Sequence, residues 1–281
     1  MNPKAIDYRN IPVQADVLSG IIRLDPEAND CFRELDGFVR SDQGVAALVL
    51  RVVNSPLYSR GRQIATIPVA ISLLGFNVVR SLALLAFSRS LFARSRDPAF
   101  RLHIWQHSLL AAIAARAICE ALGSRREKDE AFVAGLMHDM GSVLLFTHDP
   151  ARYREVLSLI LERGHEPLSA ERKVFGCDRC EVGREAVKQW NLPERFADYL
   201  GEDLARPCPE RSEDRVWTSL AAANCLLESA GIGGAAANDP EMRKAALLRF
   251  ARDESLCETW LAEEFVERLK EDDAYQLCAN L

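Results

Sequence analysis

No apolar run in this 281-residue chain approaches the roughly 18 residues needed to cross a bilayer. The opening Met1-Asn2-Pro3-Lys4 lacks the apolar stretch of a signal peptide. Both absences argue against a membrane or secreted protein, and the expected location is cytoplasmic. No concentrated basic surface is present either. Thirty-five Lys and Arg stand against forty-one Asp and Glu, the net charge is −6, and the signs are interspersed, which argues against nucleic acid as a partner. A glycine-rich phosphate loop is missing, as are internal repeats and low-complexity tracts. Alternating strand patterns with turn dipeptides are hard to find, which excludes a sheet-based fold.

Cysteine is present but unorganised. Of eight, the one tight spacing is Cys177-Asp178-Arg179-Cys180. A metal or redox role would need a second ligand pair or a thioredoxin-like strand-to-helix context. Neither is evident, and the residues are expected to be free thiols, several of them buried.

The chain does have a soluble composition, 48% hydrophobic and 27% charged, enough for one large or two modest domains. Helical periodicity runs throughout. Residues 12–22 read as a first helix, and Asp25-Pro26-Glu27 as the opening of a second. Ser41-Asp42 caps a third through Val53, stopped by Asn54-Ser55-Pro56. Thr66 caps Ile67–Leu74, Gly75 closes it, and Val78–Phe92 follows. The polar run Arg94-Ser95-Arg96-Asp97-Pro98 marks a boundary. Beyond it come Phe100–Leu122, one unbroken helix Glu127–Phe146, Arg152–Glu162, Pro167–Val174, Glu181–Trp190 and a helix start at Asn191-Leu192-Pro193-Glu194. A loop at 201–213 precedes helices at 215–229, 240–251 and 255–270, with Gly231–Gly234 as a flexible joint.

The chemistry lies in His138-Asp139, placed inside an apolar helical run. A buried unpaired carboxylate costs several kcal/mol, so the pair must be bonded, hold a metal, or line a wet cleft. Ala131, Gly135, His138, Asp139 and Ser142 share one helix face, and His103 and His107 share a face of the preceding helix. An imidazole beside a His-Asp pair can begin a metal site. Backbone carbonyls or a carboxylate can equally hold such a histidine. Asn54-Ser55-Pro56 with Tyr58 reads either as a binding loop or as a helix-ending turn in which Asn54 bonds local backbone. Trp105 and Trp190 are expected to pack inside. The acidic run from Glu263 to Asp273 is expected to be an amphipathic surface helix.

A family resemblance weights these readings. Trp105-Gln106-His107-Ser108 followed by Ala131-Phe132-Val133-Ala134-Gly135-Leu136-Met137-His138-Asp139-Met140-Gly141 resembles the heart of the HD superfamily, composed largely of metal-dependent phosphohydrolases. Leu50-Arg51-Val52-Val53-Asn54-Ser55-Pro56-Leu57-Tyr58 and Ile64 through Gly75 resemble the HDOD branch. Phe175-Gly176, Glu181-Val182-Gly183 and Trp190-Asn191-Leu192-Pro193 continue the likeness in order, over roughly residues 10–230.

The resemblance implies an all-α bundle. An N-terminal helical bundle (1–95) packs on an HD-like core (96–215), with C-terminal helices (216–281) on that core. It further implies a bacterial role in signalling and gene regulation, through signalling proteins or a small-molecule ligand, without a membrane and generally without catalysis. His107 matches the first family histidine, and His138-Asp139 the second pair. This chain then departs. Arg179 stands where relatives tend to have histidine. Glu202, Asp203 and Leu204 lie where a His-His pair often follows, and Asn224 lies near the place of a final family aspartate. A guanidinium cannot ligate a cation and repels one, but it can pair with Asp139. The expectation is a relic site with no catalytic residue and no cofactor, held by an Asp139–Arg179 or Asp139–His contact. Asn54, Ser55, His107 and Arg179 are the expected ligand or partner groove. The alternative is a phosphohydrolase or phosphodiesterase holding Fe, Mn or Mg on His107, His138 and Asp139, completed by Glu202 or Asp203.

Overall fold

The computed structural model describes residues 2–8, 15–54, 58, 63–92, 97–206, 208–234, 240–251, 254–261, 263–272 and 275–276. Among them every regular element is helical, so the fold is all-α, as the periodicity requires. Among the described residues no single helix is long and apolar enough to cross a membrane. The chain divides into two compact units. The smaller contains residues 9–91 and 190–193, and the larger 1–8, 92–189 and 194–281.

The smaller unit is built from α1 (Ala15–Arg23), α2 (Cys31–Ser41), α3 (Gln43–Val53), α4 (Ile67–Leu74) and most of α5 (Phe76–Phe92). Its core repeats at helical spacing, with Leu35 and Val39 on α2 and Val45, Leu48, Val49, Val52 and Val53 on α3 all buried. Fully burying each such side chain contributes about 1.5–3 kcal/mol. The Asp42 carboxylate caps α3 by accepting from the amides of Gly44 and Val45. The helix expected at Asp25 begins instead at Cys31. Asp25 spends its side chain on the Glu27 amide in a turn, at 2.9 Å, and a bonded turn competes with helix there. Asn54 is a clamp. Its amide nitrogen donates to the carbonyls of Leu50 and Ile64, and its oxygen accepts from the Ile64 amide, all at 2.7 Å.

The larger unit carries α6 (His107–Ala121), α7 (Lys128–Met137), α8 (Met140–His148), α9 (Pro150–Leu161), α10 (Pro167–Phe175), α11 (Arg179–Gln189), α12 (Phe196–Gly201), α13 (Arg215–Ser229), α14 (Pro240–Ala251), α15 (Glu254–Leu261) and α16 (Glu263–Glu271). A π-helical turn, Arg101–Gln106, leads into α6. Apart from 190–193, the expected segments 96–215 and 216–281 fall together in this unit, where α13 packs on α6 and α7. Gly135 sets how closely α6 and α7 approach, for a Cβ there would lie 2.5 Å from Ala112 Cα.

The unbroken helix expected over 127–146 is two helices, split at His138-Asp139. The His138 ring reaches back and donates from Nδ1 to the Gly135 carbonyl at 2.7 Å, and a side chain inserted into the helical ladder is a recognised cause of kinks. Two residues later Gly141 admits the backbone of α11, since a Cβ there would lie 2.0 Å from the Arg179 carbonyl oxygen. The helix expected over 255–270 is likewise two, α15 and α16.

Candidate functional site

The break between α7 and α8 and the start of α6 bring three predicted residues together. The ligand atoms of His107, His138 and Asp139 lie within 4.8 Å of one another. All three side chains are buried, His107 at 1% exposure and Asp139 at 2%. The His107 and His138 Nε2 atoms are 3.1 Å apart. Asp139 Oδ2 sits 3.6 Å from the first and 3.5 Å from the second. Asn224, on α13, adds its Oδ1 at 3.1 Å from His107 Nε2.

Backbone carbonyls fix the proton on each ring. His107 Nδ1 lies 2.9 Å from the Ile232 carbonyl oxygen, and His138 Nδ1 lies 2.7 Å from that of Gly135. A carbonyl only accepts, so each Nδ1 carries a hydrogen and each Nε2 is turned to the cluster. Burial pushes the His107 pKa down to about 4, with Asp139 opposing, so that ring is neutral near pH 7. Two imidazole nitrogens, an amide oxygen and a carboxylate oxygen therefore converge, and the neutral His107 ring offers a lone pair. Asp139 Oδ2 has no hydrogen-bond partner although it is buried. This donor set fits a divalent cation, for which nitrogen and oxygen ligands with outward Nδ1–H bonds are the usual arrangement.

The other carboxylate oxygen faces the opposite way. Arg179 Nη1 donates to Asp139 Oδ1 at 2.8 Å. The same guanidinium donates from Nε to Glu171 Oε1 at 2.7 Å, and the Arg179 backbone amide donates to Glu171 Oε2 at 2.8 Å. Tyr153 adds its hydroxyl to Glu171 Oε1 at 3.3 Å. Burial alone would raise the Asp139 carboxyl, but His138, Arg179 and His107 outweigh it and hold the group at about 2. Burial raises Glu171 above the usual carboxylate range, with Arg179 opposing. Burial also works against the charge on Arg179, yet Glu171 and Asp139 keep it well above its usual value. The expected Asp139–Arg179 contact is thus present, but it satisfies one oxygen of two. The guanidinium is balanced by Glu171 and anchored away from the histidines.

A cleft opens on this cluster, lined by His138, Asp139, Arg179, Asn224, Glu228 and, among others, Glu202 and Asp203, with a cavity volume of about 80 Å³. That is room for about three waters and well below the roughly 300–1,000 Å³ of ordinary small-molecule sites. Glu202 accepts from Arg211 at 3.0 Å and Asp203 from Arg206 at 3.0 Å, so both line the cleft without joining the cluster. Burial raises Glu228 to about 7, and Cys180 to about 12, which leaves that thiol unreactive. Asn54 belongs to the smaller unit and is spent on backbone; Ser55 lies outside the described residues.

Reasoning from sequence missed Glu171, Glu228 and the Ile232 carbonyl. Glu171 sits in Glu171-Arg172-Lys173, which reads as a solvated charge run.

Comparison with known proteins supports the fold. The model of the HDOD domain family matches residues 11–202. The chain belongs to the HDOD family. An HDOD domain protein of unknown function from Geobacter sulfurreducens is 26% identical, superposes with a TM-score of 0.73, and covers 95% of this chain and 94% of its own. Two further structures share the fold. A protein from Marinobacter aquaeolei VT8, described as a candidate signal transduction protein, is 23% identical with a TM-score of 0.72, over 96% of this chain and 59% of its own. A candidate phosphohydrolase from Shewanella amazonensis SB2B is 19% identical with a TM-score of 0.65, over 97% and 94%. In sequence, an uncharacterised protein of Treponema pallidum (strain Nichols) is 20% identical over 161 residues; these are 57% of this chain but 31% of the relative, so the likeness spans under a third of that protein.

Proposed function

We propose that this HDOD protein is a signal-transduction component that works by binding a partner protein or small ligand, without hydrolysis, and that it holds one divalent cation on His107, His138 and Asp139, with Asn224 as a fourth donor. One observation carries the reading, namely the division of the Asp139 carboxylate. Oδ2 points, unbonded, at two imidazole Nε2 atoms, while Oδ1 is held by Arg179. The first half wants a cation. The second is closed to one, because a guanidinium has no lone pair to give. The Marinobacter neighbour and the family's regulatory character support the signalling part.

A cation held there supplies positive charge and a Lewis-acidic position. The protein's own residues do the rest. Gly135 and Ile232 fix the ring tautomers, Glu171 anchors Arg179, and Arg179 fixes the carboxylate. No imidazole is left over to serve as general base, since both Nδ1 atoms are bound to carbonyls and both Nε2 atoms face the cluster. The cleft of about 80 Å³ admits no nucleotide without movement.

The test is titration of chelator-treated protein with Mn²⁺ by calorimetry, alongside an assay with bis-p-nitrophenyl phosphate. One ion per chain and no turnover above the protein-free rate are expected, with binding lost in His138→Ala. Turnover that disappears in both His138→Ala and Asp139→Ala would make the protein a phosphodiesterase. Absence of Mn²⁺ binding would remove the cation.

A further inference from the structure

The segment after α13 was expected to be a flexible joint, yet it lies against the cluster. Ile232 accepts from His107 Nδ1 at 2.9 Å. The next amide, Gly233, donates to His103 Nδ1 at 3.4 Å. His103 and His107 stand one turn apart across the end of the π-helical turn, so two consecutive backbone groups of one loop engage both rings. Gly233 is buried and takes φ +94°, a conformation that disfavours any side chain. It also lies flat on the imidazole: a Cβ there would fall 2.3 Å from His107 Nδ1 and 2.6 Å from Cε1. Its neighbour Gly234 is different. A Cβ at that position would meet Glu228 at an acceptable 3.4 Å.

We propose that the Ile232-Gly233 turn is a positioning element for His107, fixing the ring's tautomer and orientation so that Nε2 faces the cluster. It does this without touching the cation. The inference rests on the cation reading of the same site. It goes further in assigning the control of that site to residues beyond 202, where the family match ends. The site is then completed by this chain's own C-terminal region: Asn224 supplies a donor atom and the turn sets its neighbour. Outer partners of ligating histidines govern affinity because they decide which nitrogen carries the proton and where the lone pair points.

Gly233→Ala in the full chain tests this, with Gly234→Ala as the control. Two measurements are read on chelator-treated protein, the His107 tautomer by ¹⁵N NMR of the imidazole ring and Mn²⁺ affinity by calorimetry. Wild type and Gly234→Ala should show His107 as the Nδ1–H form. Gly233→Ala should lose that signature and bind Mn²⁺ about 10–100-fold more weakly, with unchanged helical circular dichroism. If Gly233→Ala does not accumulate in folded form, His103→Leu replaces it; removing the acceptor for the Gly233 amide without adding bulk at His107 should move both readouts the same way by less. A folded Gly233→Ala with the wild-type tautomer and affinity overturns the inference. Wild type that binds no Mn²⁺, yet shows the tautomer lost in Gly233→Ala, overturns the cation reading while supporting the turn's hold on His107.

Discussion

The two sides of Asp139 make opposite use of the same burial. On the guanidinium side, Arg179, Glu171, Tyr153 and Asp139 Oδ1 form a closed set in which donors meet acceptors at 2.7–3.3 Å. On the imidazole side, His107 Nε2, His138 Nε2, Asn224 Oδ1 and Asp139 Oδ2 meet at 3.1–3.6 Å, and Oδ2 has no hydrogen-bond donor. Both regions sit in the same low-dielectric interior, where unmet polarity is expensive. A saturated network serves stability. A set of acceptors held together by outward bonds to backbone is arranged for something that brings positive charge. The contrast separates what the fold needs from what the function needs, although one carboxylate belongs to both.

Breaking the closed side should give the largest effect on stability. Glu171→Gln leaves a buried guanidinium with only Asp139 as its ionic partner, and removing one member of a buried ion pair typically costs about 3–5 kcal/mol. The expected result is a loss of about 3 kcal/mol in urea unfolding of chelator-treated protein. A loss under about 1 kcal/mol would mean that Glu171 does not balance Arg179 and that the two sides are not distinct.

Breaking the open side should abolish the response to cation. A ligand that binds only the folded state stabilises it by about 2.7 kcal/mol at a hundredfold excess over Kd. Mn²⁺ at that excess should raise wild-type stability by this amount and leave His138→Ala unchanged, as measured by thermal unfolding with and without the ion. Equal Mn²⁺ stabilisation in His138→Ala would place the cation elsewhere. Glu171→Gln, by contrast, should keep the response to Mn²⁺.

The sequence exposed the open side far better than the closed one. His107, His138 and Asp139 sit within a dense motif, and Arg179 is conspicuous as a cation where relatives tend to carry an imidazole. The cap at Asp42 was equally legible, because capping is a local interaction. What could not be read depends on distant backbone. The Ile232 carbonyl lies 125 residues from His107, and nothing local to Gly231–Gly234 says that it meets a ring. The helix break at His138 is hidden for a related reason. The apolar periodicity of residues 127–146 is helical throughout, and the break follows one ring turning back on a carbonyl. The division into units was obscured similarly, since Trp190–Pro193 joins the smaller unit; there Asn191 accepts from Ser19 at 3.1 Å and Arg23 at 3.0 Å.

Glu228 lies between the two sides, bonded to Asn224 and within the field of Arg179, and its titration shows which side governs it. Burial raises its pKa to about 7 from 4.5. Between those values the folded protein keeps a proton that the unfolded chain has lost. This group's contribution is therefore complete below pH 4.5 and declines as pH rises through 7. His107 acts in the other direction. Held down to about 4 from 6.5, it costs stability as pH falls from 6.5 towards 4. Glu228→Gln removes the first effect and keeps the second. In metal-free protein the variant should match wild type near pH 4.5 and exceed it at pH 8 by on the order of 2 kcal/mol, the size that a shift of this kind carries for a partly exposed group. Parallel stability curves would show no shifted group at this position. A variant less stable than wild type at pH 8 would show an ionised Glu228 paired with Arg179, and would move it to the closed side.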